Sequence, residues 1–342
     1  MSKVLIFAEP DNEPLTLIDN QKPDYHPYIW DDIKQLLIDN SVSFTEEEQY
    51  IKVCPEGRQE IRIYPIKNAY DYRQAYYGDV GGVGKKFFWQ ISVDNEANNI
   101  RTIWLKPWEW LPESRMRNVL TSIILNACGI TGTNFNGRDT EVLEVPNSQL
   151  RPFLEKNSFY GYRAASLNLG LYLTRERNGL KAGTLLMVYT FGYPYFGAKK
   201  GKYDCEVIRA ATRLGCNVRG GASKLFKYFV DNYPELIIGK GGKNERAVAW
   251  NKCCYFVEFD HTNGNSLPQL GFDFLEYSGP GFVNITKETG EWFHRQPMRH
   301  KEIMEDIKAG KVYSVFNAGT KNYIYDKAKK VTILEDSDFT HE

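Results

Sequence analysis

The segment NVRGGASK (217–224) sets two glycines ahead of an amphipathic stretch. A glycine turn lets backbone approach a ligand, and the amides that open a helix favour anions. Gly220 and Gly221 therefore open a stretch whose backbone amides could approach an anion. A second run places Gly81, Gly82 and Gly84 ahead of Lys85 and Lys86. Its spacing is not that of a P-loop and no Ser or Thr follows the lysines, so a turn beside a solvated lysine pair is expected. His261, in EFDHTNGN, stands at a strand end, where an imidazole can either do chemistry or stabilise the turn. Asp260 beside it can cap the element that follows. Arg299, His300 and Lys301 form a basic triplet next to His294 and Arg295. Such a cluster can position a protein on a duplex through phosphates without reading bases.

Charge along the chain is uneven although the formal net charge is zero. Residues 1–60 hold 13 acidic and 5 basic residues, a net of −8, and residues 199–252 hold 12 basic and 5 acidic, a net of +7. The second stretch, which includes Lys199, Lys200 and Lys224, could neutralise several phosphates or form a solvated face. The 22 Tyr and 7 Trp suit aromatic-lined grooves as well as a thick core; Trp104, Trp108 and Trp110 are expected to pack inside. Six cysteines occur without CxxC spacing, which points away from zinc and disulfide frameworks and towards a reducing cytoplasm. The opening MSKVLIFAEPDNEP turns acidic after a short apolar run and reads as neither signal peptide nor membrane span.

Elements to position these groups can be read from periodicity. Strands are expected at Val4–Ala8, Glu60–Ile66 and Ile100–Leu105, with a helix over Trp30–Asp39 and another from Pro112 to about Ala127. Beyond a change of pattern near 145–151, the chain reads as helix (150–158), two meander strands (167–175 and 184–192), and a strand at Cys205–Ala211. A turn (212–222), a helix (223–233), a polar glycine-rich insertion (237–252), a strand (254–259), a short helix and a closing strand follow. The expected class is α+β, with a module over 1–144, a second domain over 145–325 and a tail over 326–342.

Three segments in this order, NVRGGASKLFKYF, CYFVEF and NGNSLPQLGF, resemble the GNAT acyltransferase fold. Together with IRTIWLKPWEW (100–110), RPFLEKNSFYGYRAASLNLGLYL (151–173), RQPMRHKEI (295–303) and VYSVFNAGTKNYI (312–324), they resemble phage-encoded homing endonucleases. In those proteins a nuclease module related to very-short-patch repair endonucleases precedes a GNAT-like domain. The resemblance covers about residues 97–325. It implies a divergent restriction-endonuclease-like module in which Glu60, Asp71 and Asp79 supply catalytic carboxylates, Glu60 and Asp71 holding Mg²⁺ over the scissile phosphate. Lys67 or Arg73 would lie near that phosphate, and Glu109 closes IWLKPWEW. It also implies that Asn217 and Gly220–Ser223 face the pyrophosphate of coenzyme A. Two positions depart from the pattern: Ser158 stands where the family has His, and Leu267 where acyltransferases keep a tyrosine acid for the leaving thiolate.

Three functions follow as expectations. The first is a DNA endonuclease of the homing class acting on double-stranded DNA in the cytoplasm of a phage-infected bacterium, with Lys199, Lys200, Lys224, Arg295, Arg299 and Lys301 on the phosphates. The second is a coenzyme-A-dependent acyltransferase that modifies nucleobases. The third is a non-catalytic DNA-binding protein built on both folds.

Overall fold

A computed structural model describes residues 28–74, 82–112, 114–194, 201–239, 243, 245–287, 292–294 and 300–329. The strand expected at Val4–Ala8 lies outside them. The class is α+β. The chain divides into two compact units, the first formed by 1–130, 258–263 and 277–320 and the second by 131–257, 264–276 and 321–342. The stretch 145–325, read from sequence as one domain, contributes to both, and residues 131–144 belong to the second.

Unit 1 begins with α1 (Ile29–Asp39), whose residues Ile29, Trp30, Ile33 and Leu37 form one buried stripe. Asp31 and Asp32 in its first turn suit the positive end of the helix dipole. Strands β1 (Phe44–Glu46), β2 (Ile51–Val53) and β3 (Glu60–Pro65) follow as an antiparallel meander. Helix α2 (Phe87–Ala97) then crosses to β4 (Ile100–Leu105), which runs parallel to β3 from Glu60↔Ile100 to Pro65↔Leu105. Helix α2 was not legible in the sequence because it buries Phe88, Ser92 and Asn95 rather than an apolar stripe. Asn95 compensates by donating to Tyr64 Oη (3.1 Å) and Thr102 Oγ1 (2.9 Å). Helix α3 (Arg115–Ala127) starts later than Pro112 because the Ser114 hydroxyl caps it, accepting from Met116 N at 3.1 Å. Trp104, Trp108 and Trp110 are all buried.

Unit 2 opens with β5 (Thr133–Asn136), β6 (Thr140–Glu144) and α4 (Asn147–Asn157). Strands β7 (Leu167–Leu173), β8 (Leu185–Gly192) and β9 (Cys205–Thr212) form an antiparallel meander with β6. The expected turn after β9 contains a further strand, β10 (Cys216–Arg219), parallel to β5 from Cys216↔Thr133 to Arg219↔Asn136. The pairing requires backbones to approach where a Cβ on Gly132 would strike the Gly215 carbonyl. Helix α5 (Gly221–Asn232) starts two residues earlier than expected, launched by Gly220 in the left-handed region (φ 70°). The polar insertion holds a hairpin, β11 (Glu235–Ile238) with β12 (Arg246–Ala249), before β13 (Lys252–Glu258) and β14 (Asp273–Ser278).

The chain returns to unit 1 for β15 (Phe282–Thr286), β16 (Trp292–His294), α6 (His300–Lys308) and β17 (Val312–Phe316), a three-stranded sheet in the order β16-β15-β17 with a helix beside it. The last strand among the described residues, β18 (Thr320–Asp326), joins the seven-stranded sheet of unit 2, in the order β14-β18-β13-β9-β8-β7-β6. Phe191, Phe229 and Trp250 stack through its core, with centroids 3.7 and 4.6 Å apart. No helix among the described residues is long and apolar enough to cross a membrane.

Candidate functional site

Glu60 opens β3 and is enclosed by cations. Its Oε1 accepts from Arg62 Nε at 2.7 Å and its Oε2 lies 3.3 Å from Lys52 Nζ. Burial works against ionisation, yet the bonds from Arg62 and Lys52 hold the carboxyl below its ordinary range. Asp71 lies beyond the other end of β3, on the one-turn helix Ala69–Tyr72. Asp79 lies outside the described residues, as do Lys199, Lys200, Arg295 and Arg299. No group of three or more His, Cys, Asp or Glu side chains converges as a metal site among the described residues. Lys301 is exposed on α6.

The glycine turn of unit 2 is more constrained than its sequence suggested. Gly220, Gly221, Ala222 and Ser223 do open α5, with Gly220 and Ser223 exposed. A Cβ at 221 would lie 2.8 Å from Val218 Cγ1, so that glycine serves packing. Asn217 donates its amide to Asn134 Oδ1 at 2.8 Å. Lys224 donates to the Gly137 carbonyl at 3.0 Å and to that of Thr140, tying α5 to the β5–β6 turn. Leu267, at the position of the expected acid, is part of the apolar core.

A concentration of charge is buried in unit 1, where Lys106, Glu109, Asp260 and His261 are each at most 5% exposed. Lys106 Nζ lies 2.7 Å from Asp260 Oδ2 and 3.5 Å from Glu109 Oε1. Glu109 folds back to accept from the Lys106 amide at 3.1 Å, and Asp260 Oδ1 accepts from Ala318 N at 2.8 Å. The His261 ring lies between two carboxylates, Nε2 being 3.3 Å from Glu109 and Nδ1 3.3 Å from Glu258. Burial alone would discharge this imidazole, but Glu109 and Glu258 outweigh it and raise its pKa to about 10. Burial likewise opposes the Lys106 ammonium and the Glu109 carboxylate, and their partners hold both ionised. An imidazolium locked on both nitrogens and closed to solvent is a brace, without a free lone pair to take a proton. Asp260, His261 and Glu109 stood out in the sequence. Lys106, the cation that joins them, could have been flagged as a lysine inside an aromatic run.

Two arginines of unit 1 also escaped the sequence reading. Arg101 on β4 donates Nη2 to the His261 carbonyl at 3.3 Å, while its buried Nε has no partner. Arg58 donates to the Asn126 carbonyl at 3.2 Å and lies against Gly129, past the end of α3. Burial and the neighbouring Arg58 lower the Arg101 pKa. Neither guanidinium pairs with a carboxylate among the described residues.

No family model matches the chain, and no curated protein does.

Proposed function

We propose that this is a DNA-acting protein of the phage homing-endonuclease type, unit 1 being the endonuclease-like module and unit 2 a GNAT-like platform that helps to grip DNA. The observation that carries the reading is the order of elements within each unit. Helix, antiparallel three-strand meander, helix and a fourth strand parallel to the third is the order expected of a restriction-endonuclease-like core. In unit 2 the order β14-β18-β13-β9-β8-β7-β6 supports the GNAT-like reading. So does the parallel pair β9/β13, which is in register only over Cys253–Tyr255, as in a pair that parts further along. Arg58, an exposed cation without a carboxylate partner, supports phosphate contact by unit 1.

The Mg²⁺ expected from the resemblance does not fit Glu60 as the structure holds it, since both carboxylate oxygens are engaged by Lys52 and Arg62. A gel shift on duplex DNA across a salt series, with and without Mg²⁺, is expected to show binding that weakens steeply with salt. Arg58→Ala should weaken it at every sequence and lower the salt slope by about 1. No binding at low salt would end the DNA reading. Mg²⁺-dependent nicking that Asp71→Ala abolishes would establish the nuclease and that carboxylate's part in it; binding without nicking would leave the platform alone.

The glycine turn at the start of α5 favours the acyltransferase as second reading, while Leu267 in the core leaves the leaving thiolate without its expected acid. Calorimetry with coenzyme A tests it. Ser223→Asp, exposed in the first turn of α5, should abolish any heat by setting a carboxylate against the pyrophosphate. Gly221→Asp would disturb the core instead. Absence of heat with the wild-type protein would remove this reading.

A further inference from the structure

Helix α4 covers one face of the unit 2 sheet, packing Leu150, Phe153 and Leu154 against Leu185, Val188 and Ala211, while α5 packs on the other face. The polar side of α4 is left to solvent, with Arg151 and Lys156 exposed, and Tyr160 and Arg163 are exposed on the loop that follows. Two half-buried arginines of the β9 end reach the same surface. Arg209 donates Nε to the Gly161 carbonyl at 3.0 Å, and its guanidinium lies 5.6 Å from the Tyr160 ring. Arg213 donates Nε to the Leu185 carbonyl at 2.9 Å and lies 5.9 Å from the Phe153 ring of α4. The Leu214 amide donates to Asn157 Oδ1 at 2.8 Å and ties the end of β9 to the end of α4. Arg151 stacks over Tyr162 at 4.1 Å. The five cations therefore share one surface, built from α4, its following loop and the end of β9.

Acids are scarce on these segments. Glu155 is the one acidic residue in 145–166, its Oε1 accepting from the Tyr162 amide at 3.1 Å, and 207–213 holds none. Arg151, Lys156 and Arg213 enter no ion pair among the described residues. Bonds to carbonyls and contacts with ring faces orient a guanidinium without neutralising it. In a chain whose formal net charge is zero, five cations beside one carboxylate make a local field that favours a polyanion. From this arrangement we infer that the α4 side of unit 2 docks on the phosphate backbone of duplex DNA. Arg151, Lys156 and Arg163 meet phosphates directly, Arg209 and Arg213 add charge from positions fixed by the Gly161 and Leu185 carbonyls, and the Tyr160 hydroxyl can donate to a phosphate oxygen. The choice of DNA as the polyanion rests on the function proposed above. Lys224, expected from sequence to touch phosphates, is instead held by carbonyls at the β5–β6 turn.

The test titrates labelled duplex DNA with the full-length protein by fluorescence anisotropy across a salt series. Arg151→Gln, Lys156→Gln and Arg163→Gln combined should weaken binding about tenfold or more and lower the slope of log affinity against log salt by about 3. Each substitution alone should lower the slope by about 1, which keeps the test open if the combined variant folds poorly. Lys227→Gln, exposed on α5 across the sheet, should leave the slope nearly unchanged. Wild-type binding that the three substitutions leave intact overturns this inference and spares the DNA-acting reading. An equal loss from Lys227→Gln overturns it too, because the field would then be spread over unit 2. No duplex binding by the wild-type protein removes both. Phosphatidylserine vesicles serve as the second anionic probe. Binding to them alone, abolished by the three substitutions, would make this face a membrane surface and overturn the duplex assignment.

Discussion

At the scale of single residues, the buried charges of unit 1 decide more than the exposed ones. His261 is raised from an ordinary value of 6.5 to about 10 by Glu109 and Glu258, against the effect of burial. Because the folded-state value is the higher, folding takes up protons between the two values. The stabilisation is complete below about pH 6.5 and is lost progressively as pH rises towards 10. Urea midpoints followed from pH 6 to pH 10 should therefore fall in the wild-type protein, and His261→Gln should be less stable with a flatter profile. A wild-type midpoint constant over that range would contradict the protonated brace. Lys106→Met is the more severe change, since it leaves Asp260 and Glu109 buried without their cation; about 3–5 kcal/mol is expected. Surface pairs such as Lys227–Asp231 should by comparison cost little. Glu60, a metal ligand by resemblance, has Lys52, eight positions away in sequence, folded against it by the β2–β3 pairing.

At the scale of elements, local chemistry and long-range pairing divide the work. The strands β3, β4, β7, β8 and β9 lie close to where alternation and apolar runs put them, because their burial pattern is written into successive side chains. Helix α2 was missed because its buried side is partly polar and is satisfied by partners on β3 and β4. Strand β10 and the β11–β12 hairpin were missed because four-residue strands carry too little periodicity. The start of α5 depends on both kinds of signal. Gly220→Ala meets open space but must hold φ near 70°, so a loss of roughly 1–2 kcal/mol is expected by chemical denaturation. Lys224→Met removes the tie between α5 and the β5–β6 turn, with a further loss of about 1–3 kcal/mol. Amide exchange across Thr133–Asn136 should accelerate in that variant. Unchanged protection would mean that the β5–β10 pairing holds the turn unaided.

At the scale of the whole molecule, each unit is completed by segments distant in sequence. Unit 1 needs Glu258–Asn263 and Tyr277–Thr320 in addition to its N-terminal part. A fragment ending at Ile130 would keep Lys106 and Glu109 but lose Asp260, His261 and the β15–β17 sheet. It is expected to show no cooperative unfolding transition by circular dichroism. A sharp transition in that fragment would mean that the first part folds alone. The amino-acid sequence by itself determined the α+β class, most of the longer strands and helices, and the glycine turn ahead of α5, because those features follow from periodicity and from backbone freedom at single residues. Only the tertiary structure decided which charges meet. It placed Lys106 with Asp260 and His261, enclosed Glu60 with Lys52 and Arg62, and brought Arg209 and Arg213 beside α4 and its following loop. The first of these meetings joins segments 154 positions apart, and the others depend on strand register and loop placement, to which local sequence pattern is blind.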